Sequence, residues 1–450
     1  MKINYLLTVF LSALSLAGAA QDAPLPQNLS LEEAVGIAVR NNAELNVRTY
    51  EYEIAGEKIA EARFRRLPAV SGGFDFTRNL IIPTTPVPAN AFNPNAPADE
   101  ITALRFGTNW TANAGLNVRY PLLDKSIEGS IREREEERAL AAIDREIGEA
   151  ELTAQVRLAY AECLLARAQV DLALGDTLNS RTNLEVIGDR YRNGRARVNE
   201  WNQARIERNN AQNRLAESYH ILERAENKLR YYLGYPEEDR KIGFEEDLEG
   251  LFEKLKPAAA PELNFGESLT GRQLNQQLSL AELRMTNVHL DDLPTLAVSG
   301  FLGANFFDNN LGLFNANNWF GGSYLALNLQ VPITSRLENK RRVSQRQYQV
   351  LSARESLRAQ RQEKTYEFRQ ALDDLRFHES NLAIRRQNIG LSEENYQIVL
   401  QQYREGRATA DELSRADFQL KQAKFDYLRT FYNCIQSAIQ LQDIQRRADD

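Results

Sequence analysis

The sequence predicts an internally duplicated α+β membrane protein, each half joining a membrane-type β-hairpin to a very long helical hairpin. Three observations carry this. A hexapeptide is written twice, Tyr191-Arg192-Asn193-Gly194-Arg195-Ala196 and Tyr403-Arg404-Glu405-Gly406-Arg407-Ala408, 212 residues apart, and the same offset goes on to pair Glu200 with Glu412, Trp201 with Leu413 and Ala204 with Ala416. Apolar and small residues recur at sevenfold spacing on both sides of each copy. Elsewhere, two pairs of segments alternate between apolar and polar residues. The implied divisions are 1–20, a signal peptide; 21–234, the first repeat; 235–266, an inter-repeat equatorial segment; and 267–450, the second repeat.

Met1 to Ala20 has one lysine, an apolar run from Tyr5 to Leu16 and small residues from Ala17 to Ala20. That run is too short to span a bilayer and reads as a secretory signal cleaved near Ala19 or Ala20. The first cysteine is Cys163, so no lipid anchor is expected at the cleavage site. Beyond it no run of 18 or more apolar residues remains, and an exported chain of this kind enters a membrane only as strands of a barrel. With 55 basic against 62 acidic side chains the net charge is -7, which offers no basic face to nucleic acid.

In the mature chain, Leu29 to Arg66 reads as helix, opened by a Ser30/Glu33 capping box and closed before Pro68. From Ala69 to Asn79, Val70, Gly72, Phe74 and Phe76 alternate with Ser71, Gly73, Asp75 and Thr77. From Phe106 to Tyr120, Trp110, Ala112, Ala114, Leu116 and Val118 alternate with Thr111, Asn113, Gly115, Asn117 and Arg119. One apolar and one polar face suits a strand between lipid and a watery lumen; an ordinary sandwich hairpin is the alternative. Between them the prolines at 83, 86, 88, 94 and 97 predict a long irregular loop.

After Pro121 the period turns helical and holds to Gly194, a helix on the order of 100 Å long. Its seam runs through Val156, Cys163, Val170, Thr177, Leu184 and Tyr191, beside a second series rich in alanine. A glycine just past such a run takes the left-handed conformation that closes a helix, so each hexapeptide reads as the turn of a helical hairpin. Residues 235 to 266 break the pattern with Pro236, Gly243, Pro257 and Pro261 around an acidic short helix near Glu245 to Lys256. The second copy repeats the plan: a helix to about Asp292, strands Thr295 to Phe306 and Trp319 to Val331, a helix from Pro332 to Gly406, and a last helix along Leu413, Leu420, Tyr427, Cys434 and Leu441.

A lone four-stranded sheet would leave two edges unpaired in hydrocarbon, so the strands have to close with those of other copies, eight in a dimer or twelve in a trimer. The order of elements resembles the TolC-type outer-membrane efflux proteins. The resemblance rests on Leu29-Ser30-Leu31-Glu32-Glu33-Ala34 with Asn41-Asn42 after it, on the prolines at strand-to-helix junctions, and on the paired Tyr-x-x-Gly tips with an acidic residue six positions past each glycine. It implies a homotrimer in the bacterial outer membrane. Its twelve-stranded barrel, four strands per chain, stands in outer-membrane lipid and continues into a coiled-coil helical periplasmic tunnel. The implied partners are a periplasmic adaptor protein and, through it, an inner-membrane transporter. The expected function is the exit channel of a tripartite efflux system, with type I protein secretion as the other cargo class and a surface coiled-coil stalk or adhesin as the rival from outside the family.

The resemblance also implies residue roles. The tips, Tyr191, Arg192, Asn193, Gly194, Arg195, Arg404, Glu405, Gly406 and Arg407, would dock the adaptor. The gate would comprise Glu200, Tyr403, Asp411, Glu412 and Arg415, with Tyr403 facing Glu200; Arg415 stands where relatives often place a carboxylate. Plainer readings exist: the tyrosines lie at seam positions, the arginines suit helix carboxyl ends, and the glutamates suit first turns. No catalytic, cofactor or metal residues are expected. Glu217-x-x-His220 has the spacing of a di-iron pair, but that site needs a second such pair, and neither His289 nor His378 has a glutamate three residues before it. Cys163 and Cys434 are expected as small apolar seam residues.

Overall fold

The computed structural model describes residues 28–82, 84–91, 97, 99, 101–235, 242–257 and 262–446. The expected signal peptide, 1–20, lies outside them. In chain order the elements are β1 (Asn28–Leu29), α1 (Leu31–Asn41), α2 (Ala43–Phe64), β2 (Ala69–Arg78), β3 (Thr84–Pro88), β4 (Ile101–Arg105), β5 (Trp110–Leu123), α3 (Lys125–Arg192) and α4 (Val198–Leu233). They continue with β6 (Gly243–Phe244), α5 (Leu248–Leu255), α6 (Leu269–Asn287), β7 (Thr295–Asp308), β8 (Trp319–Gln330), α7 (Ser335–Arg404) and α8 (Ala410–Gln445). Contacts group the chain into two units, Met1–Val47 with Glu146–Ser268 and Gln362–Asp450, and Arg48–Arg145 with Leu269–Arg361.

The second unit holds an antiparallel sheet in the order β2-β5-β7-β8. Its register carries the predicted alternation through β2 and β5, whereas the second face of β7 and β8 also holds Phe301, Phe307, Phe320 and Tyr324. Val70, Phe74, Leu116, Leu302, Leu325, Leu327 and Leu329 share one face, and all of them are exposed. At one end of this face Phe76 stacks on Trp110 with ring centroids 5.3 Å apart, and Phe306 lies 5.4 Å from Trp319. The opposite face carries Asp75, Asn113 and Asn305 on one rung, with Asn113 Nδ2 donating to Asn305 Oδ1 at 2.8 Å.

One rung of the polar face has no side chains. Gly73, Gly115, Gly303 and Gly322 are paired in a row across all four strands. The Phe301 ring covers the middle of that row, and a Cβ on Gly115 would lie 2.5 Å from it. A Cβ on Gly303 would lie 2.3 Å from the carbonyl oxygen of Ala114, whereas one on Gly73 would meet nothing within 4 Å.

Three boundaries differ from the sequence expectation, each for a local reason. The first helix is broken at Asn42, whose backbone leaves the helical region (ψ 124°) and whose Oδ1 accepts the amides of Glu44 and Leu45 at 2.9 and 3.2 Å, so one residue ends α1 and caps α2. Pro121 does not start the long helix. β5 runs on to Leu123 through a register shift between Pro121 and Leu123, and α3 begins after Asp124, whose Oδ1 accepts the Ser126 amide at 3.0 Å. The proline-rich loop contains a ribbon of β3 and β4, with Pro86 opposite Ala103; each strand of a two-stranded ribbon has a side without a partner, where proline is tolerated.

In the first unit α1, α3, α4, α5, α7 and α8 share a core that includes Ala34, Val156, Cys163, Leu229, Leu251, Leu375 and Cys434. The predicted seam residues Val156, Cys163, Val170, Leu375, Leu413, Leu420, Cys434 and Leu441 are buried. Ser30 and Glu33 form the expected capping box. The segment around α5 is tied in through Glu246, whose carboxylate accepts from the Tyr160 hydroxyl and, at 2.7 Å, from Lys254 Nζ. Tyr160 is fully buried, its oxygen 2.8 Å from the Leu29 carbonyl; burial, reinforced by Glu246, pushes its phenol far up.

Overpacking at the glycine rung is expected to cost about 1–3 kcal/mol for Gly303→Ala, while Gly73→Ala stays within about 0.5 kcal/mol of wild type. Thermal unfolding of the β signal by circular dichroism in detergent checks both; equal effects would count against the close approach at Gly303.

Candidate functional site at the two helical tips

Both hexapeptides close their helices in the same way. Gly194 (φ 69°) and Gly406 (φ 81°) take the left-handed conformation. At the first tip the Arg195 amide bonds to the Arg190 carbonyl at 2.7 Å and the Gly194 amide to that of Tyr191 at 3.0 Å. The second tip repeats this with Arg407 on Gln402 at 2.8 Å and Gly406 on Tyr403 at 3.0 Å. This paired pattern satisfies the last carbonyls of each helix, and at both positions a side chain would be strained.

The return helices start differently. Arg197 precedes α4 without a side-chain cap. Thr409 precedes α8 in a full capping box with Glu412: Thr409 Oγ1 accepts the Glu412 amide at 3.3 Å, and Glu412 Oε2 accepts the Thr409 amide at 2.7 Å. The Thr409 amide, aided by its hydroxyl, holds the Glu412 carboxyl below the ordinary 4.5. Arg415 pairs with Asp411 one turn earlier on the same helix.

The two tips meet in a small core of their own. Ile187, Ala204, Tyr396, Leu400, Tyr403, Leu413, Ala416 and Leu420 are buried together. Tyr403 is only 1% exposed. The guanidinium of Arg190 lies 4.6 Å above its ring and donates to its carbonyl oxygen. The Tyr403 hydroxyl is buried without a hydrogen-bond partner among the described residues. It makes no hydrogen bond to Glu200, although the two are near enough that Glu200 adds to the upward push on the phenol, which comes first from burial and is opposed by Arg190.

The other tip residues face outward. Tyr191 is 37% exposed and stacks on Trp201, centroids 5.2 Å apart and planes 3° from parallel, with Arg205 4.9 Å over the indole. Arg192 pairs with Asp189, Arg407 with Glu405, and Asn193 Nδ2 donates to the Asp189 carbonyl at 2.9 Å. Arg195 and Arg404 are exposed. Of the expected gate residues, Glu200 and Asp411 line one cavity of about 390 Å³, together with Glu207, Asp417 and Asn183. Tyr403, Glu412 and Arg415 do not line it.

Two groups of functional interest were not singled out by sequence. Arg190 is one. The other is a largely buried ion network in which Lys421 pairs with both Asp176 and Asp417, and Arg214 reaches Asp176 at 2.6 Å. Burial pushes the Asp417 carboxyl up, against the pull of Lys421. His220 is exposed, 4.0 Å from the Glu223 carboxylate, and among the described residues no cluster of His, Cys, Asp and Glu is arranged to hold a metal ion. Cys163 and Cys434 are both buried and unbonded, the Cys434 thiol pushed up to about 12 by burial.

Removing the second cap has a local outcome. Thr409→Ala is expected to speed amide exchange in the first turn of α8 about fivefold, the scale of a lost N-cap, and to leave α4 unchanged. Because the Glu412 pKa is lowered on folding, its contribution is present above pH 4.5 and lost as pH falls through the lowered value. Hydrogen exchange followed by mass spectrometry, corrected for the intrinsic rate at each pH, tests both statements.

Comparison with known proteins bears on these tips and on the sheet. No curated protein matches the sequence. Among solved structures the fold is similar to that of CusC, described for its transmembrane channel formation (TM-score 0.71, 15% identity, 94% of this chain and 95% of that one). It is also similar to the outer membrane protein VceC of Vibrio cholerae (TM-score 0.67, 14% identity, 92% and 95%). The open state of the MtrE outer membrane channel of Neisseria gonorrhoeae gives a TM-score of 0.68 at 17% identity over 92% and 88%. The family described as outer membrane efflux protein matches residues 35–235 and 272–444, and this chain belongs to that family.

Proposed function

We propose that three copies of the chain form the outer-membrane exit channel of a tripartite efflux system. The observation that carries the reading is the sheet of the second unit. Its outer strands β2 and β8 have no partner strand among the described residues, and its apolar face is exposed from Val70, Leu116, Leu302 and Leu325 to Leu329, with Ala112 and Phe306 buried at one end. An apolar patch of this extent marks an interaction surface, and the aromatic residues Phe76, Trp110 and Trp319 at its end suit a membrane interface. No helix of the described residues is long and apolar enough to cross a membrane, so spanning falls to strands of 10, 14, 14 and 12 residues, against the ~9–11 a tilted membrane strand needs.

Pairing β2 of one protomer with β8 of the next satisfies both edges, and three protomers give twelve strands. The apolar face then meets lipid and the Asn- and Gly-rich face lines a watery lumen. The helices extend the duct into the periplasm, where the tips serve as the docking surface for a periplasmic adaptor and, through it, an inner-membrane transporter. Glu200, Tyr403, Asp411, Glu412 and Arg415 lie at the constriction. Arg415 pairs with Asp411, and Glu412 is held in the cap of the same helix.

The purified protein is expected to fractionate with outer membranes, to need detergent for extraction, to migrate as a trimer until heated, and to conduct ions in planar bilayers. A protein soluble without detergent and silent in bilayers would instead fit a coiled-coil stalk.

A further inference from the structure

The two hairpins of the sheet differ on the face opposite the exposed leucines. On β2 and β5 that face carries Asp75, Thr77, Thr111, Asn113 and Asn117, and no aromatic residue. On β7 and β8 it presents Phe301, Phe307, Phe320 and Tyr324. Tyr324 is 59% exposed and Phe320 56%, so neither ring is seated in a core. Placed in a watery duct, such rings leave apolar surface bare, which is unfavourable. Strand pairing does not require them, since the first hairpin pairs without any.

Their placement makes a ledge. Phe320 and Tyr324 lie two residues to either side of Gly322 on β8 and so share its face. Tyr324 stacks on Phe301 of β7, with ring centroids 5.9 Å apart and planes 24° from parallel. Phe301 covers Gly115 and Gly303, but Gly322, the fourth glycine of the bare rung, is left open: within 4 Å a Cβ there would meet Asn305 Nδ2 alone, at 3.6 Å. The Asn305 carboxamide is already fixed, because its Oδ1 accepts from Asn113. Its Nδ2 has no acceptor among the described residues. An open main-chain floor with an aromatic residue on either side and one fixed donor is a seat for a flat ring that carries an acceptor at its edge.

Charge narrows the class of ligand. Asp308 is the one charged residue of β7 and β8, and its carboxylate already accepts from the amides of Asn310 and Gly312 and from Asn318 Nδ2. The ledge therefore offers an ionic ligand no counter-charge. We propose that Phe320, Gly322, Tyr324 and Asn305 form a subsite in the wall of the duct for uncharged, planar aromatic molecules bearing a hydrogen-bond acceptor, and that such molecules are among its cargo. The inference rests on the channel reading above.

The test is saturation-transfer NMR on the full-length purified protein in detergent, with caffeine as the probe, an uncharged flat ring system with carbonyl acceptors. Wild type is expected to give saturable transfer that N-methylpyrrolidone, a carbonyl compound without an aromatic ring, does not displace. Tyr324→Ala and Phe320→Ala should each weaken caffeine binding about fivefold, the scale of one lost aromatic contact. Asn305→Asp, which still accepts from Asn113 but no longer donates, should weaken it by about the same factor. Gly322→Val should abolish binding by filling the floor, whereas Gly321→Val, on the opposite face with nothing within 4 Å, should bind as wild type. Binding that survives both Gly322→Val and Tyr324→Ala unchanged, or that N-methylpyrrolidone displaces, overturns the ledge and leaves the channel standing. If Gly322→Val does not fold, Tyr324→Ala and Asn305→Asp decide the matter, and wild-type affinity in both refutes the ledge. Caffeine binding in a protein silent in planar bilayers overturns the channel, and with it the assignment of these molecules as cargo.

Discussion

Backbone hydrogen bonding at the edges of a sheet is the constraint on which the rest of this protein depends. Within one chain β2 and β8 offer a row of amide and carbonyl groups that no other described strand satisfies. In water such edges are a hazard managed by charge or bulges; in hydrocarbon each orphaned group costs several kcal/mol. The exposed leucines and phenylalanines of the same sheet make water the wrong solvent for its outer face. On the proposed channel reading, closing the edges through further copies and placing that face in lipid are one requirement, and the chain belongs to a family of outer membrane proteins.

At the helical tips the same construction is used twice and then made unequal. Gly194 and Gly406 share a backbone conformation and a bonding pattern. Around that common frame, aromatic stacking of Tyr191 on Trp201 stays within the first hairpin, whereas Tyr403 is drawn into the core between the hairpins under Arg190. The return helix of the second tip has the Thr409/Glu412 box that the first lacks. A duplicated sequence in this way carries one tip whose tyrosine is buried between the hairpins and another whose aromatic pair faces outward.

Much of this was legible in the sequence because it is periodic. Sevenfold spacing marked Val156, Cys163, Leu375 and Cys434 as core, and twofold spacing marked both faces of β5 with the correct register of apolar and polar residues. What escaped is aperiodic or polar. Proline at 121 reads as the end of a strand, but a register shift absorbs it and the strand continues. Asn42 stops a helix by bonding to its own downstream amides, which a pattern of apolar residues does not reveal. The ribbon of β3 and β4 is hidden by prolines that would exclude a central strand. Arg190 lies off the apolar seams; its signal is a polar series at the same spacing, Asp176, Asn183 and Arg190, set against the uncharged Asn388, Asn395 and Gln402 of the second copy.

The glycine rung has a consequence for how the wall is assembled. Strands are normally aligned by the shapes of the side chains facing one another, and a row of four glycines supplies no such shapes, so sliding past a neighbour by two residues is opposed there only by main-chain bonds. The Phe301 ring lying across Gly115 and Gly303, and the Asn113 to Asn305 bond one rung away, restore the missing alignment, since either would lose its seat after a slip. The bare rung and its two neighbours therefore act as an index mark for the pairing of β5 with β7.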